Sequence, residues 1–157
     1  MRVACGFDHA GVPLRAAVLG ALVAGGHGVL DLGDAEDYPA SARVVAAALS
    51  DGRAERGVLV CGSGAGVAVA AGKFRGVRAA TVSDCYTARQ SVEDDDLNVL
   101  CLGARVIGPE LARELVSVFV GARFSGAERH VRRLAEIAAI EREVFGAPAA
   151  MLDAKPM

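Results

Sequence analysis

The chain has no apolar run long enough to span a membrane, although 53% of its 157 residues are hydrophobic. A spanning helix needs roughly 18 or more such residues in succession. The excess is mostly alanine and valine, distributed through amphipathic or buried segments. The opening residues, Met1 to Gly6, read as a strand and lack the ordered basic, apolar and small-residue regions of a signal peptide. The expectation is a cytoplasmic protein. The net charge is only −2, so there is no basic field for nucleic acid, and any anion must be held by local groups. The four cysteines, Cys5, Cys61, Cys85 and Cys101, form no CxxC pair, which argues against a zinc knuckle or a thioredoxin-type couple. There is no internal repeat and no linker. The length suits a single domain, expected over residues 1–146, with the proline-containing 147–157 as a loose tail.

What is present is an alternation of short apolar runs with helical patterns. Strands are expected at Arg2–Phe7, Gly28–Leu32, Gly57–Cys61, Arg78–Val82 and Asn98–Leu102. Helices are expected at Val12–Ala24, Ala40–Ser50, Val67–Lys73, Asp84–Val92, Pro109–Val120 and Ala127–Phe145, with proline in first turns and Gly25, Gly26 and Gly146 as stops. The pattern predicts an α/β fold, a three-layer α/β/α sandwich around a Rossmann-like five-stranded parallel sheet. Ligands in such folds sit beyond the carboxyl ends of the strands. The loops there begin at Asp8-His9, Gly33, Cys61, Ser83 and Gly103.

The most informative of these loops is Cys61-Gly62-Ser63-Gly64-Ala65-Gly66. It sets a thiol at the end of an apolar strand, beside the free N–H groups of a helix start. Such a setting favours a thiolate and can absorb the charge of a developing oxyanion. No Gly-Lys-Ser/Thr closes the loop, so it is not a Walker A sequence, and a dinucleotide loop would follow the first strand rather than the third. By itself the run is also compatible with a tight strand-to-helix turn. Asp8-His9 either moves protons between substrate oxygens or caps the first helix. Arg129 and Arg133, four apart on the last helix, either clamp a phosphate or pair with Glu128 and Glu136. Arg105 lies just past the fifth strand and can join such a clamp. The acidic run Glu93 to Asp96 reads as a solvated turn, with a divalent-metal site as the alternative.

Taken together, seven ordered motifs resemble the B-type ribose-5-phosphate isomerases, the family that includes the galactose-6-phosphate isomerase subunits. They are Gly6-Phe7-Asp8-His9-Ala10-Gly11, Asp37-Tyr38-Pro39, the Cys61–Gly66 loop, Ala70-Ala71-Gly72-Lys73, Asn98-Val99-Leu100, Gly103 to Gly108, and Arg129 to Arg133. The resemblance implies aldose–ketose isomerisation of a small sugar phosphate through a cis-enediolate, with no cofactor and no metal. It implies a homodimer, with a tetramer as the larger alternative, whose sites lie between subunits. By position, Cys61 is the base that shuttles a proton between C1 and C2. Gly62, Gly64, Ala65 and Gly66 offer the oxyanion amides, with Ser63 at the hydroxyl position. Asp8, His9 and Tyr38 match sugar contacts, and Arg105, Arg129 and Arg133 match phosphate contacts, the last two reaching across the dimer.

Two positions depart from the family pattern. Gly72 replaces the asparagine before the lysine of its fourth motif. Asp94 and Asp95 stand where the family has His-Asn, the histidine opening the furanose ring. An ionised aspartate accepts a proton but does not donate one to the ring oxygen. Either His9 supplies that proton, or Asp94 is buried and stays protonated, or the substrate has no ring. The principal expectation is therefore ribose 5-phosphate/ribulose 5-phosphate isomerisation. The alternative is erythrulose 4-phosphate/erythrose 4-phosphate, whose esterified terminal oxygen cannot close a furanose. Two further alternatives are an impaired partner subunit without catalysis and a small nucleotide-binding module.

Overall fold

A computed structural model describes residues 1–146. They fall into two units, residues 1–124 and residues from 125 onward. The expected tail at 147–157 lies outside the described residues.

In the first unit the chain runs β1 (Arg2–Asp8), a 3-10 turn (Val12–Leu14), α1 (Arg15–Ala24), β2 (Gly28–Ala35) and α2 (Tyr38–Ser50). It continues through β3 (Arg56–Cys61), α3 (Ala65–Ala71), β4 (Ala79–Thr81), α4 (Cys85–Asp95), β5 (Val99–Gly103) and α5 (Pro109–Gly121). The five strands pair in parallel in the order β2-β1-β3-β5-β4. The strands at the centre, β1, β3 and β5, are buried on both faces, which is why each reads as an almost unbroken apolar run.

Side-chain alternation divides the core in two. Val3, Cys5, Phe7, Val58, Val60, Leu100 and Leu102 pack with residues of α1, α4 and α5. Ala4, Leu59, Cys61, Val99 and Cys101 pack with residues of α2 and α3 on the other face. The sandwich expected from the alternating pattern is thus present in this unit. Connections from β1 and β3 leave to opposite sides of the sheet, so a crevice opens between their carboxyl ends.

Several boundaries differ from the sequence expectation. The first helix opens as a 3-10 turn at Pro13, which donates no backbone hydrogen bond. β2 continues to Ala35 because the register shift between Cys5 and Phe7 lets Asp34 and Ala35 pair with β1. Asp37-Tyr38-Pro39 is not a free turn. Asp37 caps α2, its carboxylate accepting the Tyr38 N–H at 2.8 Å, and Tyr38 and Pro39 form the first turn. α3 starts two residues before Val67 and stops at Ala71. Residues Glu93 to Asp95 are the last turn of α4, not a loop, and Asp96 ends the helix in the left-handed region.

The second unit contains α6 (Glu128–Phe145), bounded by Ala127 and Gly146. His130 is buried, its Nδ1 2.7 Å from the Ser125 hydroxyl. The apolar α6 residues Val131, Ile137, Ile140 and Val144 are exposed.

Candidate active site

At the β1/β3 crevice, a cleft of ≈ 390 Å³ is lined by Asp8, His9, Ala10, Asp37, Tyr38, Cys61, Gly62, Ser63, Gly66, Arg105 and Val106. Each arrives there for a local reason. Asp8 ends β1 and is buried, and its Oδ1 accepts the Ala10 and Gly11 N–H groups at 2.9 Å. That leaves the second carboxylate oxygen for the cleft. His9 Nδ1 lies 2.9 Å from the Glu36 carbonyl oxygen. A carbonyl only accepts, so Nδ1 carries the proton and Nε2 is the nitrogen with a free lone pair in the neutral ring.

Cys61 is the last residue of β3 and only 4% exposed. Its Sγ accepts the Gly64 N–H at 3.1 Å. The loop that supplies it depends on Gly64, whose φ of +82° is left-handed and whose Cα could not carry a Cβ without meeting Thr81 Cγ2 at 2.8 Å. Ser63 Oγ accepts the Ala65 N–H at 3.3 Å. At Gly66 the requirement is space: a Cβ there would sit 3.2 Å from the Tyr38 ring, which lies across the loop.

Arg105 follows β5, and its backbone N–H donates to the Gly62 carbonyl at 2.9 Å. Its side chain runs beside Gly62 and makes no ion pair among the described residues. It is the cation of the cleft. The other cysteines face elsewhere. Burial, then the negative charge of Asp31, pushes the Cys5 thiol up to about 12. Burial and the neighbouring Cys61 likewise raise Cys101. Both sit in the core, where burial disfavours the thiolate form that reacts. Cys85, at the start of α4, is raised by desolvation and by the carboxylate of Glu114.

Eight of the residues singled out in the sequence therefore share one cleft: Asp8, His9, Tyr38, Cys61, Gly62, Ser63, Gly66 and Arg105. Gly64 and Ala65 belong to the same loop. Asp94 and Asp95 do not line the cleft. They close α4, where Asp94 Oδ2 accepts from Gln90 Nε2 at 2.7 Å. Arg129 and Arg133 lie on the exposed side of α6 in the second unit, where Arg132 rather than either of them pairs with Glu136, at 2.8 Å. Ala10, Asp37 and Val106 are cleft residues that the sequence reading gave no role. All three stood inside motifs, but membership alone gave them no role, and nothing in the sequence marks an alanine or a valine as lining. Among the described residues no cluster of His, Cys, Asp or Glu is arranged to hold a metal ion, and no helix is long and apolar enough to cross a membrane.

Residues 3–137 match the family model described as Ribose/Galactose Isomerase. The chain is 41% identical over 145 residues to the ribose-5-phosphate isomerase B of Escherichia coli K12, covering 90% of this chain and 97% of that one. It is 37% identical over 131 residues to the D-erythrulose-4-phosphate isomerase of Pectobacterium atrosepticum, covering 80% and 86%. The solved ribose-5-phosphate isomerase B of Clostridium thermocellum superposes with a TM-score of 0.87 at 38% identity, covering 92% of this chain and 99% of that chain.

Proposed function

The chain belongs to the ribose/galactose isomerase family, and from that premise we propose that it interconverts ribose 5-phosphate and ribulose 5-phosphate through a cis-enediolate, without a cofactor. One observation carries the reading: Cys61 Sγ, braced by the Gly64 N–H, stands at the floor of a cleft that also holds Asp8, His9, Tyr38 and Arg105.

The Cys61 thiolate takes the proton from C2 of the open-chain aldose. The C2–H electron pair becomes the C1=C2 bond, and the carbonyl pair moves onto O1. Amides of Gly62, Gly64, Ala65 and Gly66, with the Ser63 hydroxyl, stabilise that oxygen. A proton passes from O2 to O1, and Cys61 returns its proton to C1, giving the ketose. His9 Nε2 and the free oxygen of Asp8 serve the oxygen-to-oxygen transfer and ring opening. Tyr38 orients the sugar, and Arg105 holds phosphate. Arg129 and Arg133 complete the phosphate site from the second subunit of a homodimer working in the cytoplasm.

The experiment is turnover of ribose 5-phosphate by the purified chain and by Cys61→Ala. The variant should lose kcat by several orders of magnitude with its fold intact; near-normal turnover removes Cys61 from the chemistry. A second reading, isomerisation of erythrulose 4-phosphate, is favoured by Asp94, which replaces the ring-opening histidine, and by the similarity to a D-erythrulose-4-phosphate isomerase. Comparing kcat/KM on the two sugars decides it, since a clear preference for the pentose ends the tetrose reading. Asp94→His should raise turnover of ribose 5-phosphate if ring opening is the step it lacks.

A further inference from the structure

The loop that cradles Cys61 is held from a distance. Gly64, its left-handed residue, is buried, and its carbonyl accepts two hydrogen bonds. One comes from the Ala68 N–H at 3.2 Å and is the opening bond of α3. The other comes from the Thr81 hydroxyl at 3.0 Å, on β4, the strand at the edge of the sheet. Thr81 Cγ2 meanwhile fills the space where a Cβ on Gly64 would stand.

α3 has only seven residues, Ala65 to Ala71, and a helix that short does not hold its own first turn in place. In a trans peptide the C=O and N–H point in opposite directions. Pinning the Gly64 carbonyl against β4 therefore aims the Ala65 N–H the other way, at Ser63 Oγ, 3.3 Å off on the lining of the cleft. The Gly64 N–H, one peptide earlier, stays on Cys61 Sγ.

We propose that Thr81 is a positioning residue for the isomerisation: its hydroxyl tethers the start of α3 to the sheet edge and so fixes the amides that meet the enediolate and the thiolate. Thr81 does not touch substrate. It lies outside every motif by which the family is recognised in this chain, and it acts through the Gly64 carbonyl. The proposal rests on the isomerase reading of the same cleft.

The test compares Thr81→Val, which keeps the β-branched shape and removes the hydroxyl, with Thr81→Ser, which keeps the hydroxyl. For each, kcat and KM on ribose 5-phosphate are measured. So is calorimetric affinity for two ligands: a phosphorylated aldonohydroxamate, planar and anionic where the enediolate forms, and ribitol 5-phosphate, saturated at both carbons. Loss of one such hydrogen bond corresponds to about fivefold. Thr81→Val should lose about that factor in kcat and in hydroxamate affinity, while KM and ribitol 5-phosphate affinity hold and Thr81→Ser recovers most of the loss. Three results overturn the proposal: hydroxamate affinity unchanged in Thr81→Val, both ligands weakened equally, or Thr81→Ser no better than Thr81→Val. If the unmodified protein neither turns over the sugar nor binds either ligand, the isomerase reading itself has failed, and the Thr81 proposal with it.

Discussion

At the scale of single residues, the site is built from groups whose neighbours decide what they do. Cys61 and Cys101 lie on the same face of adjacent strands, yet only Cys61 ends its strand beside a free amide. With Cys5 pushed up to about 12 by burial first and by Asp31 second, and Cys101 raised the same way, neither should react with iodoacetamide at pH 8 in the folded protein. Peptide-resolved mass spectrometry should find both labelled only after unfolding, and native labelling of Cys5 would contradict its burial. Gly66 offers a second residue-scale prediction. A Cβ there would crowd the Tyr38 ring at 3.2 Å, so Gly66→Ala should displace that ring and raise KM while the protein stays folded. Unchanged KM in a folded Gly66→Ala variant would show that Tyr38 does not orient the sugar. The motifs made these residues legible. The Thr81 hydroxyl was not, because a threonine in a short apolar strand looks like ordinary strand composition until its partner, 17 positions away, is known.

Elements are set by their ends. Asp84 caps α4, its two carboxylate oxygens accepting the Thr87 N–H and hydroxyl at 2.7 Å. The Thr87 N–H and then its hydroxyl hold the Asp84 carboxyl below its ordinary range. At Asp31 burial opposes the charge, but Arg15 and the Gly33 N–H outweigh it and lower that carboxyl too. Both groups bind protons more weakly in the folded chain than in the unfolded one. Their stabilisation is complete above the ordinary carboxylate range, about pH 4, and is lost as pH falls through the depressed folded values. Tm should drop below about pH 4, and Asp84→Asn, which still caps but cannot titrate, should show a shallower drop; an identical acid profile would mean Asp84 adds nothing to it. The far end of α5 is held by arginines. Arg56 donates to the Phe119 carbonyl and, at 2.9 Å, to that of Ala122, with its guanidinium over the Phe119 ring. Arg56→Met should cost about 1–3 kcal/mol in urea denaturation, the penalty for stranding carbonyls that a guanidinium had satisfied. The alternation of apolar runs and helix patterns displayed these elements. Their limits shifted wherever a partner intervened: β2 lengthened because it takes up one extra residue against β1 between Asp31 and Asp34, and the acidic run became helix because α4 had one more turn to make.

On the scale of the whole molecule, the cleft of the first unit holds Cys61, which we propose as the base, the glycine loop proposed to bind the oxyanion, and one cation, Arg105. Arg129 and Arg133 belong to the second unit. If the proposed homodimer shares its sites, mixing Cys61→Ala with the Arg129→Ala/Arg133→Ala double variant under subunit exchange should restore turnover that neither has alone. Failure of the mixture to recover activity, with exchange verified, would place both arginines outside the shared site. The sequence by itself determined the class of fold, the strand that carries the thiol and the loop that follows it, because buried parallel strands and glycine turns are written in local composition. Only the tertiary structure decided that Asp8, His9, Tyr38, Cys61 and Arg105 meet, that Gly66 makes room for a ring, and that β4 braces the loop. Those facts depend on strand order and on distances between residues far apart in the chain, which no local pattern encodes.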